Sequence, residues 1–148
     1  MLDYTAMKIK EILPHRDPFL FIDGIASFNE ATREIECYKT FLKNDYILSG
    51  HFPGNPIIPG VILTEMMAQA SILLYAGLKP EISSQKPSYY LGKNESRFLK
   101  IAYPDQKLII KAKINTLLDT GGIVQAEVSA NNTIVAKSEL LFAVKPKN

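Results

Sequence analysis

The 148-residue sequence contains few of the residue types on which several protein classes depend. Its single cysteine, Cys37, can form neither an intrachain disulfide nor a multi-cysteine metal site, and we expect it to be a small buried residue. Its two histidines, His15 and His51, are too few for a histidine metal cluster. It also has no Gly-x-Ser-x-Gly segment to hold a hydrolase nucleophile. We therefore expect no metal site and no serine hydrolase of that type.

Charge of one sign and long uninterrupted apolar runs are also scarce. Seventeen Lys and Arg against fifteen Asp and Glu give a net charge of +2, well short of the basic surface of a nucleic-acid-binding protein. Residues 1–8 lack the apolar core and cleavage site of a secretory signal. The apolar stretch 61–78 contains Glu65, Gln69 and Ser71, which favours a buried helix over a membrane span. We expect a cytoplasmic protein that binds no nucleic acid and does not insert into membranes.

Strand-like alternation of apolar and polar residues is abundant. In residues 108–116 the apolar side chains share one face and the lysines the other, as in a half-buried antiparallel strand. Turn-forming residues such as Asn131 and Asn132 separate several such runs, and Gly92 is a candidate bulge. The pattern predicts about six strands, at residues 19–28, 33–40, 89–103, 108–116, 123–130 and 134–144.

One long helix is predicted between these strands, from Val61 to about Ala76. Gly77 provides the stop signal, and Pro80 prevents continuation. Apolar residues cover nearly its whole circumference, so the helix must be covered on most sides. The sequence therefore predicts one α+β domain, residues 1–148, in which a six-stranded antiparallel sheet wraps around one buried helix.

Residues 50–60 form a proline- and glycine-rich segment immediately before this helix. Proline fixes φ, and glycine allows close approach of the backbone to a ligand, so this segment can hold His51 rigidly beside a substrate. Two other interpretations stay open at this point. His51 could make a purely structural hydrogen bond, or the spaced prolines could form a polyproline II ligand.

Glu65 is a carboxyl group one turn into an otherwise apolar helix. Such a group is either a proton donor or is satisfied locally, for example by Gln69 at position i+4. The histidine just upstream favours an acid/base pair, His51 and Glu65. The free N–H groups from Gly60 onward lie at the positive end of the helix dipole and can polarise a carbonyl. This combination suits removal of a proton next to a carbonyl, followed by loss of a β substituent.

Two segments resemble the 3-hydroxyacyl-acyl-carrier-protein dehydratases of type II fatty-acid synthesis. They are residues 13–23, Leu-Pro-His-Arg-Asp-Pro-Phe-Leu-Phe-Ile-Asp, and residues 50–69, from Gly-His-Phe-Pro-Gly-Asn-Pro to Met-Met-Ala-Gln. The resemblance implies a hot-dog fold and dehydration of a (3R)-3-hydroxyacyl group to a trans-2-enoyl group. It further implies no bound cofactor, because the phosphopantetheine arm of the acyl carrier protein carries the substrate.

The resemblance also implies residue roles and an assembly. His51 takes the C2 proton, the Gly60 N–H holds the thioester oxygen, and Glu65 assists departure of the 3-hydroxyl as water. Other expected substrate contacts flank these residues: Phe52, Pro59 and Val61. The minimal unit is a dimer, commonly assembled as a trimer of dimers, with the histidine and glutamate of one site on different subunits. Isomerase relatives usually have Asp at the Glu65 position, so plain dehydration is favoured.

Carrier proteins of this pathway are acidic, and a basic segment is a candidate docking patch, with an ordinary solvated strand face as the alternative. Its members are Lys86, Lys93, Arg97 and Lys100. We expect His15 and Arg16 to be structural. Departures from the family pattern, such as Ile47 and Leu48 in place of aromatics, leave the type of acyl pathway open. Two alternative functions also stay open, an acyl thioester hydrolase and a noncatalytic acyl-binding subunit.

Overall fold

A computed structural model describes residues 6–49 and 54–147, in which one antiparallel sheet packs against a long helix. The helices are α1 (Ala6–Ile12), α2 (Gly60–Leu78) and α3 (Pro80–Ser83), with a 3-10 turn at Tyr46–Leu48. The strands are β1 (Gly24–Asn29), β2 (Glu34–Thr40), β3 (Ser88–Phe98), β4 (Lys107–Leu118), β5 (Gly121–Ala130) and β6 (Thr133–Lys145). Their order in the sheet is β1-β2-β4-β5-β6-β3, so β1 and β3 are its edges. Helix α2 contacts all the strands from β2 to β6.

The predicted number of strands and the predicted long helix are confirmed. The alternation in β4 matches its burial, because Ile110 and Ala112 face the core while Lys111 and Lys113 are exposed. The predicted bulge at Gly92 is also present. Leu91 pairs with Phe142 and Lys93 with Leu141, which leaves Gly92 as the extra residue.

Two strand boundaries differ from the prediction by five residues, and the others differ by at most two. The first predicted strand starts five residues early, because main-chain groups before Gly24 bind outside the sheet. The Phe21 N–H, for example, donates to the Gln69 side chain. The predicted strand 89–103 ends at Phe98, because the next two N–H groups both donate to the Val135 carbonyl in a turn.

The short helices α1 and α3 were not predicted. Helix α1 is only seven residues long, too short for a clear periodic signal, but it places Ile9 in the core, with Leu13 just beyond its end. Gly77 does not end α2, which continues to Leu78. Pro80 then begins α3.

Helix α2 is covered on most sides, as expected, but one face is partly open. Val61 is 75% exposed, and the residues that follow it along one stripe are only partly buried. These residues are Glu65, Ala68 and Ile72, at the i, i+4, i+7, i+11 spacing of a single helix face. Helix α2 is long and apolar enough to cross a membrane, but 61% of its apolar window is buried inside the protein, as in a core helix.

Candidate active site

Glu65 lies on the open face of α2 and is held by two neighbouring side chains. Its carboxylate oxygen Oε2 accepts a hydrogen bond of 3.1 Å from Gln69 Nε2, the local partner that the i+4 spacing predicted. His15 Nε2 lies 3.4 Å from the same oxygen. The Glu65 side chain is 27% exposed, so it is half-buried and not enclosed as the sequence suggested. A carboxylate in this position has fixed neighbours and retains access to a ligand.

Gln69 is fully buried, and its amide orientation is fixed by the main chain of the segment before β1. Its Oε1 accepts from the Phe21 N–H at 2.8 Å, and its Nε2 donates to the Phe19 carbonyl at 2.9 Å. Exchanging the amide oxygen and nitrogen would bring like groups together at both contacts, so the second N–H must point at Glu65. The segment 13–23 and helix α2 are thereby joined at the carboxylate.

His15 is the site residue that the sequence interpretation missed. It was expected to stabilise a turn, but its ring instead faces Glu65 and stacks beside Phe19 with a centroid distance of 6.2 Å. Arg16, in contrast, is structural as expected, because its guanidinium donates to the Lys10, Leu13 and His15 carbonyls. A signal was present in the sequence, since His15 and Glu65 belong to the two segments that carry the family resemblance.

A cavity of about 580 Å³ opens beside Glu65 and His15. Apolar walls come from α2, β3 and β6, and cationic groups include Lys10, Lys86 and Lys147. Such a space can take an apolar chain with a polar or anionic end. Lys86 is the docking candidate that lines it; Lys93, Arg97 and Lys100 do not.

The other predicted site residues lie apart from this cavity or outside the described residues. His51 and Phe52 fall in the segment 50–53, which the structure does not describe. Pro59 occupies the N-cap position of α2 and Gly60 begins the helix, one residue before the predicted start at Val61, but neither lines the cavity. A Cβ on Gly60 would lie 3.1 Å from the Phe98 ring. Within the described residues, Glu65 lines this cavity, and Gly60 and Val61 at the helix start do not.

The three docking candidates outside the cavity are exposed but do not form a purely basic surface. Lys93 Nζ lies 3.7 Å from Glu95. Arg97 ends a row of paired positions across the sheet in which the charges alternate only as far as Lys137: Glu36, Lys111, Glu127, Lys137 and Arg97. Glu95 thus reduces the local positive charge at Lys93, whereas Arg97 is paired with another cationic residue. Within residues 6–49 and 54–147, no group of three His, Cys, Asp or Glu side chains could hold a metal ion.

Comparisons with known proteins place this geometry in context. A model of the FabA-like domain matches residues 13–139. The chain is 36% identical to the 3-hydroxyacyl-[acyl-carrier-protein] dehydratase FabZ of Caldicellulosiruptor bescii, over 96% of this chain and 99% of that protein. It is 37% identical to FabZ of Buchnera aphidicola, over 93% of this chain and 91% of that protein. Among solved structures, the dehydratase heterocomplex ApeI:P of Xenorhabdus doucetiae is similar in fold, with a TM-score of 0.75 and 20% identity over 95% of this chain and 91% of that one.

Proposed function

We infer the function of this chain from its family: the chain belongs to the FabA-like family, has the hot-dog fold, and shares more than a third of its residues with FabZ dehydratases. We propose that it removes water from (3R)-3-hydroxyacyl groups on acyl carrier protein to form trans-2-enoyl groups. The observation that carries the proposal is Glu65, held at one oxygen by Gln69 and His15 beside a cavity with apolar walls.

The proposed chemistry uses only groups of the protein. His51 removes the C2 proton, and the Gly60 N–H stabilises the enolate oxygen that develops on the thioester. Glu65 donates a proton to the departing 3-hydroxyl, which leaves as water while the C2–C3 double bond forms. Phe52, Pro59 and Val61 are proposed to contact the substrate around the helix start. The phosphopantetheine arm presents the acyl chain, so no further cofactor takes part.

One assay separates dehydration from the other activities of this fold. The purified protein is incubated with a 3-hydroxyacyl thioester while the enoyl absorbance and free thiol are both recorded. We expect enoyl product without thiol. Thiol release would instead indicate a hydrolase, and neither signal with bound substrate would indicate an acyl-binding subunit.

The proposed acid and base are tested by His51→Ala and Glu65→Gln. Each substitution removes one proton-transfer group, and we expect each to lower kcat by on the order of a hundredfold or more. Circular dichroism and the oligomeric mass are expected to stay as in the wild type, since Glu65 is only half-buried and a glutamine there can still accept from Gln69. Near-normal kcat in either variant would remove that residue from its proposed role.

We propose that the acidic carrier protein docks beside the cavity through Lys86, with Lys93, Arg97 and Lys100 adding weaker attraction. Lys86 is exposed and lines the cavity that holds Glu65, whereas Lys93 is already close to Glu95. We expect Lys86→Glu to raise KM for carrier-linked substrate and to spare a small thioester analogue. Lys43→Glu, an exposed lysine outside the cavity, is the matched control. Equal effects on both substrates would contradict docking.

We propose that two copies assemble through β3, and that three such dimers can form a hexamer. Strand β3 is an edge of the sheet, and its exposed apolar residues include Tyr90 and Leu91. These two residues line the cavity together with the open face of α2. Pairing two β3 edges would satisfy free backbone groups and cover this apolar surface. It would also allow the helix start of one subunit to approach Glu65 of its partner.

A further inference from the structure

One nitrogen of His15, a residue that lines the cavity, is buried without a hydrogen-bond partner in the described part of the chain. It is Nδ1. The other nitrogen of His15 lies 3.4 Å from Glu65 Oε2. A histidine with one buried free nitrogen and the other directed at a carboxylate calls for a physical reason, because an unsatisfied buried polar atom destabilises the fold.

We propose that His15 is a positioning residue for Glu65, and that its Nε2–H holds the carboxyl group in the orientation that serves proton transfer. The proposal rests on the dehydratase function proposed above. His15 does not exchange a proton with the substrate in this scheme. It acts on the reaction only through the orientation of Glu65.

The tautomer of His15 follows from its surroundings. With the proton on Nε2, an N–H group is close to Glu65 Oε2, at 3.4 Å between the heavy atoms, and an unprotonated nitrogen lies at the buried Nδ1 position. With the proton on Nδ1, two lone pairs would face each other at Nε2 and Oε2, and an N–H would be buried without an acceptor. The Nε2–H form is therefore favoured, and it makes His15 a hydrogen-bond donor to the carboxylate.

Two donors on one oxygen leave the other oxygen for the substrate. Gln69 Nε2 and His15 Nε2 both approach Oε2, at 3.1 and 3.4 Å. No donor from residues 6–49 or 54–147 binds Oε1. Rotation of the carboxyl group would break both contacts at once, so Oε1 is the oxygen directed to the reacting group. Pre-orientation of this kind accelerates a reaction because the geometry is set before substrate arrives.

The segment that carries His15 is itself held in place. The Arg16 guanidinium donates to the Leu13 carbonyl at 2.8 Å and to the His15 carbonyl at 2.7 Å. Leu13 is fully buried, and Phe19 stacks beside the imidazole ring. The imidazole is thus supported from the main chain and from one ring face, as a group that orients another must be.

Kinetics of three variants test the proposal. His15→Leu removes the donor, and we expect kcat to fall by on the order of tenfold to a hundredfold with KM nearly unchanged. His15→Gln places an amide N–H close to the position of Nε2, so we expect it to restore most of kcat. Ser27→Ala removes an exposed hydroxyl group from β1, outside the cavity, and serves as the control with kcat within about twofold of the wild type.

A second measurement does not depend on turnover. The chain has only two histidines, so in His51→Gln the imidazole nitrogen NMR signals come from His15 alone. We expect the Nε2–H tautomer and a clear shift of the Nε2 signal when Glu65→Gln is added. The Nδ1–H tautomer, or no response to Glu65→Gln, would overturn the proposal.

The outcomes separate this proposal from the dehydratase function. If the wild type forms no enoyl product, the proposed function fails, whatever the NMR signals show. If the wild type dehydrates, Glu65→Gln is inactive and His15→Leu keeps normal kcat, only the positioning role fails. If His15→Leu and His15→Gln lower kcat equally and also lower Tm equally, His15 is structural and the proposal is again overturned.

Discussion

Cys37 is a fully buried side chain whose ionisation couples to folding. Burial in the core, assisted by the neighbouring Glu36 carboxylate, raises the pKa of the Cys37 thiol to about 12, from an ordinary value of 9.0. The folded protein therefore keeps the thiol neutral at a pH where the unfolded chain ionises it. Below pH 9 the thiol is neutral in both states and its contribution to stability is fully retained. That contribution decreases as pH rises from 9 toward 12.

We expect the free energy of unfolding to fall with pH in a way that depends on this thiol. Between pH 8 and pH 10, ionisation of Cys37 in the unfolded chain should cost about 1.4 kcal/mol, the value of one pKa unit. Cys37→Val removes the ionisable group but keeps a similar volume. Urea unfolding at pH 8, 9 and 10 should show a shallower decline for the variant, and equal declines would contradict the assignment.

The sequence predicted one of the two contacts of Glu65 and missed the other. The contact of Glu65 with Gln69 could be predicted because the two residues lie at i and i+4 on one helix. The contact between Glu65 and His15 was not, because it joins positions fifty residues apart through the fold of an irregular segment. Period rules describe helices and strands, and they carry no information on where such a segment returns to the helix.

Among the helices and strands, too, features set by local sequence pattern were predicted correctly, and features set by distant contacts were not. Strands β4, β5 and β6 follow from alternation, because each has one face on the core. Residues 19–22 are apolar like a buried strand, yet they form no strand, and the main chain at Phe21 binds the buried Gln69 side chain. Strand β3 is exposed along most of its length, a property that its sequence of mixed apolar and charged residues does not reveal.

The exposure of β3 leads to a prediction for this edge strand. If two copies pair through β3, a lysine at Leu91 places like charges close together across the symmetry axis and should shift the protein toward monomer. Leu118→Lys is a matched control, since Leu118 is 54% exposed compared with 50% for Leu91 and lies at the end of β4, away from the β3 edge. Mass by light scattering should fall for Leu91→Lys alone. An unchanged mass for Leu91→Lys would place the interface elsewhere.

For the whole molecule, our proposal that two subunits share each site can be tested directly. Glu65 and His15 line the cavity, whereas Pro59, Gly60 and Val61 at the start of α2 do not. The proposed chemistry needs the carbonyl-binding N–H of Gly60 and the carboxyl of Glu65 around one substrate. If these groups come from different subunits, as the family resemblance implies, a partner across the β3 edge would supply the second half of the site.

Mixing two inactive variants tests this shared site directly. If His51 and Glu65 of one site come from different subunits, a heterodimer of His51→Ala with Glu65→Gln contains one site with both substitutions and one with neither. Random re-association of equal amounts makes half of the dimers mixed, so activity should return to about a quarter of the wild-type value. If both residues came from the same subunit, every site in the mixture would carry one substitution. Activity would then stay at the level of the separate variants, even though light scattering and exchange of labelled subunits confirm that mixed dimers have formed.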